Sequence, residues 1–171
     1  MAANVTGGYA GKILRVDLSR KQISEEYPDS KTLRMYLGGN GLGSKYLYEE
    51  VPKGVEWSDA ENRLMFLSGP LGGTRVSGSG TFSAVSKGPM TNMAASSQAN
   101  GFFGAYLKFS GFDGVIVQGK ADGWVYLYIH DGTAELRDAQ HLVGKGTREN
   151  RGCHQTGSEP SEQRLLYWSC R

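Results

Sequence analysis

The chain has 171 residues, 39% of them hydrophobic and 21% charged, which is enough for one domain with a true core and too little for a large multidomain enzyme. No apolar run approaches the ~18 residues that cross a bilayer, so a membrane helix is excluded. With 19 Lys and Arg against 17 Asp and Glu the net charge is only +2, too small and too scattered to be the basic footprint of a nucleic-acid binder.

The opening MAANVTGGYAGKI has neither the basic start nor the apolar segment of a secretory signal. A cytoplasmic location is expected, and Asn4-Val5-Thr6 reads as an incidental sequon. Residues 12–18 alternate apolar and polar, and 22–27 can pair with them across Ser19-Arg20-Lys21, which predicts a hairpin. Asp29 and Ser30 offer N-caps to a short helix with Leu33, Tyr36 and Leu37 on one face, closed by Gly38-Gly39. A second helix over 42–50 ends before Pro52. Residues 63–68 form an apolar strand stopped by Gly69-Pro70, and 81–86 form another between glycine-rich turns. Past Asn100 a short helix buries Phe103 and Leu107, with Phe102 and Tyr106 beside them, and stops at Gly111. Strands follow at 114–118, 124–129 and 133–137, separated by the hairpin signals Asp122-Gly123 and Asp131-Gly132. Strands adjoin strands with few helices between them, so the fold class is α+β and beta-rich, not doubly wound.

The 25 glycines, about twice the usual ~7%, need a reason. Gly39-Asn40-Gly41-Leu42-Gly43 looks like a dinucleotide loop, but it follows a helix and Ser44 stands where the last glycine belongs. Residues 114–120 have the glycine and lysine spacing of a P-loop, yet Ala121 replaces the magnesium-holding hydroxyl, and VIV reads as strand. Residues 69–80 (GPLGGTRVSGSG) are different in kind: glycines interleaved with Thr74, Arg75, Ser77 and Ser79 expose backbone N–H groups suited to a phosphate or a polar heterocycle. A plain surface connection is the competing reading. Residues 92–101 (NMAASSQANG) are a second small, polar stretch whose amides can pair with a heterocycle. His130 and His141 have no partner at metal-ligand spacing. Trp124, Tyr126 and Tyr128 alternate along one strand face and read as sheet packing. Cys153 and Cys170 are the only cysteines, so residues 1–149 hold no thiolate cage.

Several of these segments carry a family resemblance. The apolar strand with Gly69-Pro70-Leu71-Gly72-Gly73-Thr74, then Val85-Ser86-Lys87-Gly88-Pro89-Met90-Thr91, then GFFGAYLKFSGFDG from Gly101, resembles the N-terminal domain of the aldehyde:ferredoxin oxidoreductases, the tungsten enzymes. ILRVDL from Ile13, Tyr36-Leu37-Gly38-Gly39, VYLYI from Val125 and Leu136-Arg137-Asp138-Ala139 extend the similarity, in order, over residues 9–149. The resemblance implies an α+β base for a tungsten or molybdenum bis-pterin cofactor. It also implies a parent that oxidises aldehydes or related oxo substrates and passes electrons to ferredoxin or another electron-transfer protein. Later domains of the family supply the iron-sulfur cysteines and the catalytic side chains, so none is assigned here. The implied cofactor-binding residues are Arg75, Gly80, Thr81, Gln98, Ala99, Asn100, Gly101 and Phe102. The family's usual arginine falls on Thr81 and its usual asparagine on Gln98; Arg75 is expected to supply the missing charge, and Gln98 keeps an amide. A non-catalytic glycine-rich binding or structural module is the alternative, and the oligomeric state is left open.

After Glu149 the sequence NRGCHQTGSEPSEQRLLYWSCR has no clear period and no family likeness. Codons beginning GAA AAC CGA can encode its start, and removing one A from that run gives Glu-Thr-Glu-Asp-Ala-Ile-Lys-Gln, a capped helix start. The same frame ends Ser-Ser-Val-Cys-Cys-Ile-Gly-Pro-Ala-Gly, a strand and a turn in the family's style. The expectation is a partial, incomplete N-terminal pterin-binding domain over 1–149 and a frameshifted tail over 150–171. The truncated chain would be inactive alone, and strands near 63–68 would lack neighbours and expose apolar edges.

Overall fold

The computed structural model describes residues 7–146, residue 149 and the backbone of residues 165–166. Strands β1 (Ile13–Asp17) and β2 (Gln22–Glu26) form the expected hairpin. Helix α1 (Ser30–Tyr36) is capped by Asp29, whose carboxylate accepts the Thr32 N–H at 2.8 Å. Leu33 is buried as expected, but Leu37 is the C-cap and 56% exposed, because its positive φ of 61° turns the chain out of the helix. Helix α2 (Gly39–Glu50) begins three residues before the expected start, with Gly39 N–H donating to the Ser68 carbonyl at 3.1 Å. The glycine-rich segment from Gly39 to Gly43 is therefore the first turn of a helix and not a free loop.

Next come β3 (Arg63–Leu67), β4 (Phe82–Lys87), β5 (Ala94–Ala99), α3 (Phe103–Phe109), β6 (Gly114–Gln118), β7 (Val125–His130) and β8 (Thr133–Asp138). A 3-10 turn at Gln140–Leu142 and β9 (Leu165–Leu166) complete the described elements. The large sheet runs β2-β1-β6-β3-β4-β5, antiparallel except where β1 lies parallel to β6. A smaller sheet, β8-β7-β9, packs over it. The α+β class and beta-rich character stand.

Alternation along β1 serves two cores. Ile13 joins Leu33, Leu42, Met65 and Ile116 beneath the helices α1 and α2. Leu14 and Val16 join Leu107, Phe112, Val115 and Leu127 between the large sheet, α3 and the small sheet. Burial on both faces explains why β6 is an unbroken apolar run and not a phosphate loop. Tyr126 and Tyr128 lie buried with Ala139 and Leu142, with Trp124 packed against them, so these aromatics are packing residues.

Some expectations change. Asp131-Gly132 makes the β7–β8 hairpin, with φ of 42° and 79°. Asp122-Gly123 makes no hairpin: both neighbours of β6 are already taken, by β1 and β3, so the chain passes to the other sheet. Strand β3 is interior, between β6 and β4, so the apolar edges expected near 63–68 are absent and the edges of the sheet fall on β2 and β5. The small, polar stretch at 92–101, given no element by the sequence, contains β5, paired with β4 along six residues. Phe102 is 76% exposed at the N-cap of α3 instead of buried. The proposed frameshift point and both cysteines lie outside the described residues, where only Leu165 and Leu166 are placed, opposite Tyr128 and Leu127.

Two polar networks brace the fold. Buried Asp113 accepts the N–H groups of Ala10 at 2.9 Å and Gly11 at 2.7 Å and pairs with Lys108, whose ammonium also donates to the Gly8 carbonyl at 2.6 Å. This ties the segment before β1 to the end of α3. Beneath the helices, Arg15 binds Glu50 and Glu26, while Arg63 reaches Glu50 at 3.1 Å and the Tyr46 hydroxyl donates to Glu26. Burial alone would raise the Glu50 carboxyl, but hydrogen bonds and charge from Arg15 and Arg63 hold it below the usual carboxylate range. No helix among the described residues is long and apolar enough to cross a membrane.

Candidate functional site

Residues 69–80 connect β3 to β4 and are ordered by their own hydrogen bonds. Thr74 Oγ1 donates to the Leu71 carbonyl at 2.8 Å, Ser79 Oγ donates to the Thr74 carbonyl at 2.7 Å, and Gly73 N–H donates to the Ser79 carbonyl at 3.0 Å. Hydroxyl bonds of this local kind are what Ser and Thr supply in turns. The backbone N–H groups of Ser77, Gly78 and Gly80 make no hydrogen bond among the described residues. They are donors held on an ordered loop, the arrangement that suits an anion or a polar ring.

The loop's end meets the end of β5 at close range. A Cβ on Gly80 would lie 1.6 Å from the Gly101 carbonyl oxygen, and one on Gly104 would lie 2.6 Å and 2.7 Å from the carbonyl oxygens of Thr81 and Gly80. The Gly104 N–H donates to Gly80 O at 3.2 Å. Only glycine permits backbones to approach this closely. Thr81 Oγ1 donates to Gly78 O at 2.8 Å and also lies within hydrogen-bond distance of the Asn100 side-chain oxygen.

Gly80, Thr81, Asn100, Gly101 and Phe102 are thereby brought together. Gln98 and Ala99 sit next to them on β5, opposite Ser83 and Phe82 of β4. Residues 98–102 are all exposed. Arg75 is exposed too and forms no hydrogen bond or ion pair among the described residues; it is the one charged side chain in 69–80 and 92–102. It stands in the same loop as Gly80 and makes no hydrogen bond with the other seven candidates. Sequence reasoning missed Gly104, whose role is set by a contact between residues far apart in the chain; its place in GFFG was visible, its neighbours were not. It also missed Ser68, a buried hydroxyl with no hydrogen-bond partner among the described residues, next to Gly72. No group of three or more His, Cys, Asp or Glu able to hold a metal occurs among the described residues.

As a cofactor surface the arrangement is one-sided. It offers backbone amides, the carboxamides of Gln98 and Asn100, one cation and an exposed aromatic ring beside closely packed glycines. These suit the phosphates and heterocyclic edges of a pterin and supply no metal ligand.

Comparison with known proteins bears on this geometry. The family model described as aldehyde ferredoxin oxidoreductase, N-terminal domain, matches residues 13–156. A tungsten-containing aldehyde ferredoxin oxidoreductase from Pyrococcus abyssi is 44% identical over 138 residues, covering 81% of this chain and 23% of that protein. An aliphatic sulfonate oxidoreductase, WOR-like subunit, from Pyrococcus furiosus is 41% identical over 143 residues, covering 81% of this chain and 22% of the relative. Among solved structures, the active-site complex BamBC of benzoyl coenzyme A reductase, bound to 1,5-dienoyl-CoA, superposes with a TM-score of 0.86 at 36% identity, over 89% of this chain and 23% of that one. The chain thus spans about a quarter of the length of the relatives it matches. With a family match over most of its length and this fold, the chain belongs to the aldehyde ferredoxin oxidoreductase N-terminal domain family.

Proposed function

We propose that this chain forms one wall of the cofactor site of a cytoplasmic, tungsten- or molybdenum-dependent oxidoreductase, holding part of a bis-pterin group. The observation that carries the reading is the meeting of the 69–80 loop and the β5–α3 junction at Gly80, Gly101 and Gly104, next to unpaired backbone amides, in a chain of this family. When bound, such a group supplies the two-electron chemistry that turns an aldehyde or related oxo substrate into the acid and sends the electrons to ferredoxin or a similar carrier. The chain's own part is to orient. Arg75 would give a phosphate a charge-assisted contact, roughly twice as strong as a neutral hydrogen bond. Gln98 and Asn100 would pair with ring edges, Ala99 and Gly101 would let backbone approach, Thr81 would fix Asn100, and Phe102 would cover the ring face. Iron-sulfur ligation would come from polypeptide other than residues 1–149, which have no cysteine.

The test is tungsten and pterin content after expression with tungstate, in this chain and in its fusion to the remainder of a relative. Arg75→Ala is expected to lower both in the fusion while circular dichroism stays unchanged. Unchanged cofactor content would remove Arg75 from the site, and a stable fusion without tungsten or pterin would favour a non-catalytic module. We also propose that residues 150–171 are read from a shifted frame after residue 149. Sequencing the coding DNA for an extra base near codon 149, followed by an open frame in register, decides it.

A further inference from the structure

Every hydrogen bond that residues 69–77 make among the described residues stays within the loop; the bonds to Thr81 and Gly104 come only at Gly78 and Gly80. The half of the loop that carries Arg75 is therefore held to the rest of the domain by packing. That packing converges on Lys108 of α3. A Cβ on Gly72 would lie 2.2 Å from Ser68 Oγ and 3.1 Å from Lys108 Cγ, so the Gly72 backbone rests on the Ser68 hydroxyl and the lysine stem. The ammonium beyond that stem donates to the Gly8 carbonyl at 2.6 Å and pairs with Asp113. Gly8, at a φ of 80°, in turn backs onto the start of the loop: a Cβ there would lie 2.3 Å from the Pro70 carbonyl oxygen. The lysine side chain is only 7% exposed, so stem and head are both fixed. Phe109 packs beside Gly73, but it is 58% exposed and holds less firmly.

We propose that Lys108 is a positioning residue for the 69–80 loop: its stem supports Gly72, its ammonium holds Gly8 against Pro70, and together they set where Arg75 and the amides of Ser77, Gly78 and Gly80 stand. An apolar chain of the same length would fill the space beside Gly72 but could not hold the Gly8 carbonyl. A charged head bonded on two sides has one position, and charge-assisted bonds of this kind are the strong ones. Because that head is committed to Gly8 and Asp113, Lys108 acts on a bound group only through the loop. The consequence for a cofactor rests on the function proposed above; the hold on the loop does not.

Trypsin digestion of the 171-residue chain under native conditions tests it, because Arg75 is the one basic residue in the loop and cleavage after it follows how often the loop opens. Arg15, in the interior strand β1, is the control in the same digest, since its peptide bond is cut only when the domain unfolds. Lys108→Met keeps the stem and removes the ammonium; Lys108→Ala removes both. The ratio of cleavage after Arg75 to cleavage after Arg15 is expected to rise about threefold in Lys108→Met and about tenfold in Lys108→Ala, as the open population grows. Gly8→Ala leaves the lysine in place, presses on Pro70 and should raise the same ratio. A ratio unchanged in both Lys108 variants, or raised by Gly8→Ala alone, would overturn the proposal, since a loss of overall stability moves both sites together. In the fusion to the remainder of a relative, Lys108→Met should also lower tungsten and pterin content. A raised ratio with undiminished tungsten and pterin supports the hold on the loop and overturns the loop's role toward the cofactor.

Discussion

Gly80 and Gly104 show how a single missing methyl group shapes the candidate site. At both positions a Cβ would run into backbone carbonyl oxygens, which cannot rotate away as a flexible side chain can. Gly80→Ala or Gly104→Ala should therefore force the loop from the β5–α3 junction and cost about 1–3 kcal/mol in urea unfolding. Gly69→Ala is the matched control: a Cβ there meets nothing within 4 Å, so its unfolding midpoint should barely move. Equal losses for all three would mean that glycine content, and not the close approach, sets the stability. Arg75 is legible in the sequence as the one charge in its loop, but its exposure and its lack of partners among the described residues come only from the fold.

The Lys108–Asp113 pair joins elements that lie far apart in sequence. Asp113 leads from α3 into β6, accepts two N–H groups from the segment before β1 and neutralises a lysine almost as buried as itself. Asp113→Ala would leave that ammonium buried and unpaired and should cost about 3–5 kcal/mol. Adding Lys108→Met should recover a substantial part, because the uncompensated charge is removed with its partner. A double variant no more stable than the single would show that the lost amide contacts, not the buried charge, dominate. Chemical denaturation of the three variants measures this. The element pattern itself was mostly readable, since apolar alternation marks β1 and the flanking glycines mark β3 and β6. Strand β5 was not, because alanine, serine and glutamine carry no contrast in hydropathy between two exposed faces; only its pairing with β4 makes it a strand.

For the molecule as a whole, acid stability should follow the carboxylates held by arginine beneath the helices. The Glu50 carboxyl sits below its usual range in the folded chain. Its contribution is therefore complete above the unfolded value near ~4.3 and is lost as pH falls through the lower folded value. Asp17, held down chiefly by the Gln118 hydrogen bond, acts in the same direction. Thermal melts between about pH 6 and pH 3 should show the midpoint falling toward acid. In Glu50→Gln the midpoint should be lower at neutral pH and the acid slope shallower. An unchanged slope would mean that Glu50 contributes nothing to it.

Composition, periodicity and a run of glycine-rich segments were sufficient by themselves to determine the beta-rich α+β class, most strand positions and the family, since these are local patterns or patterns of residue order. Three things were decided only by tertiary structure: which strands are interior, that Asp122-Gly123 crosses between sheets, and that Gly80, Gly101 and Gly104 meet. Each depends on which edge is still free when a strand arrives, or on backbones from distant segments coming within contact distance. Spacing along the chain does not encode either one.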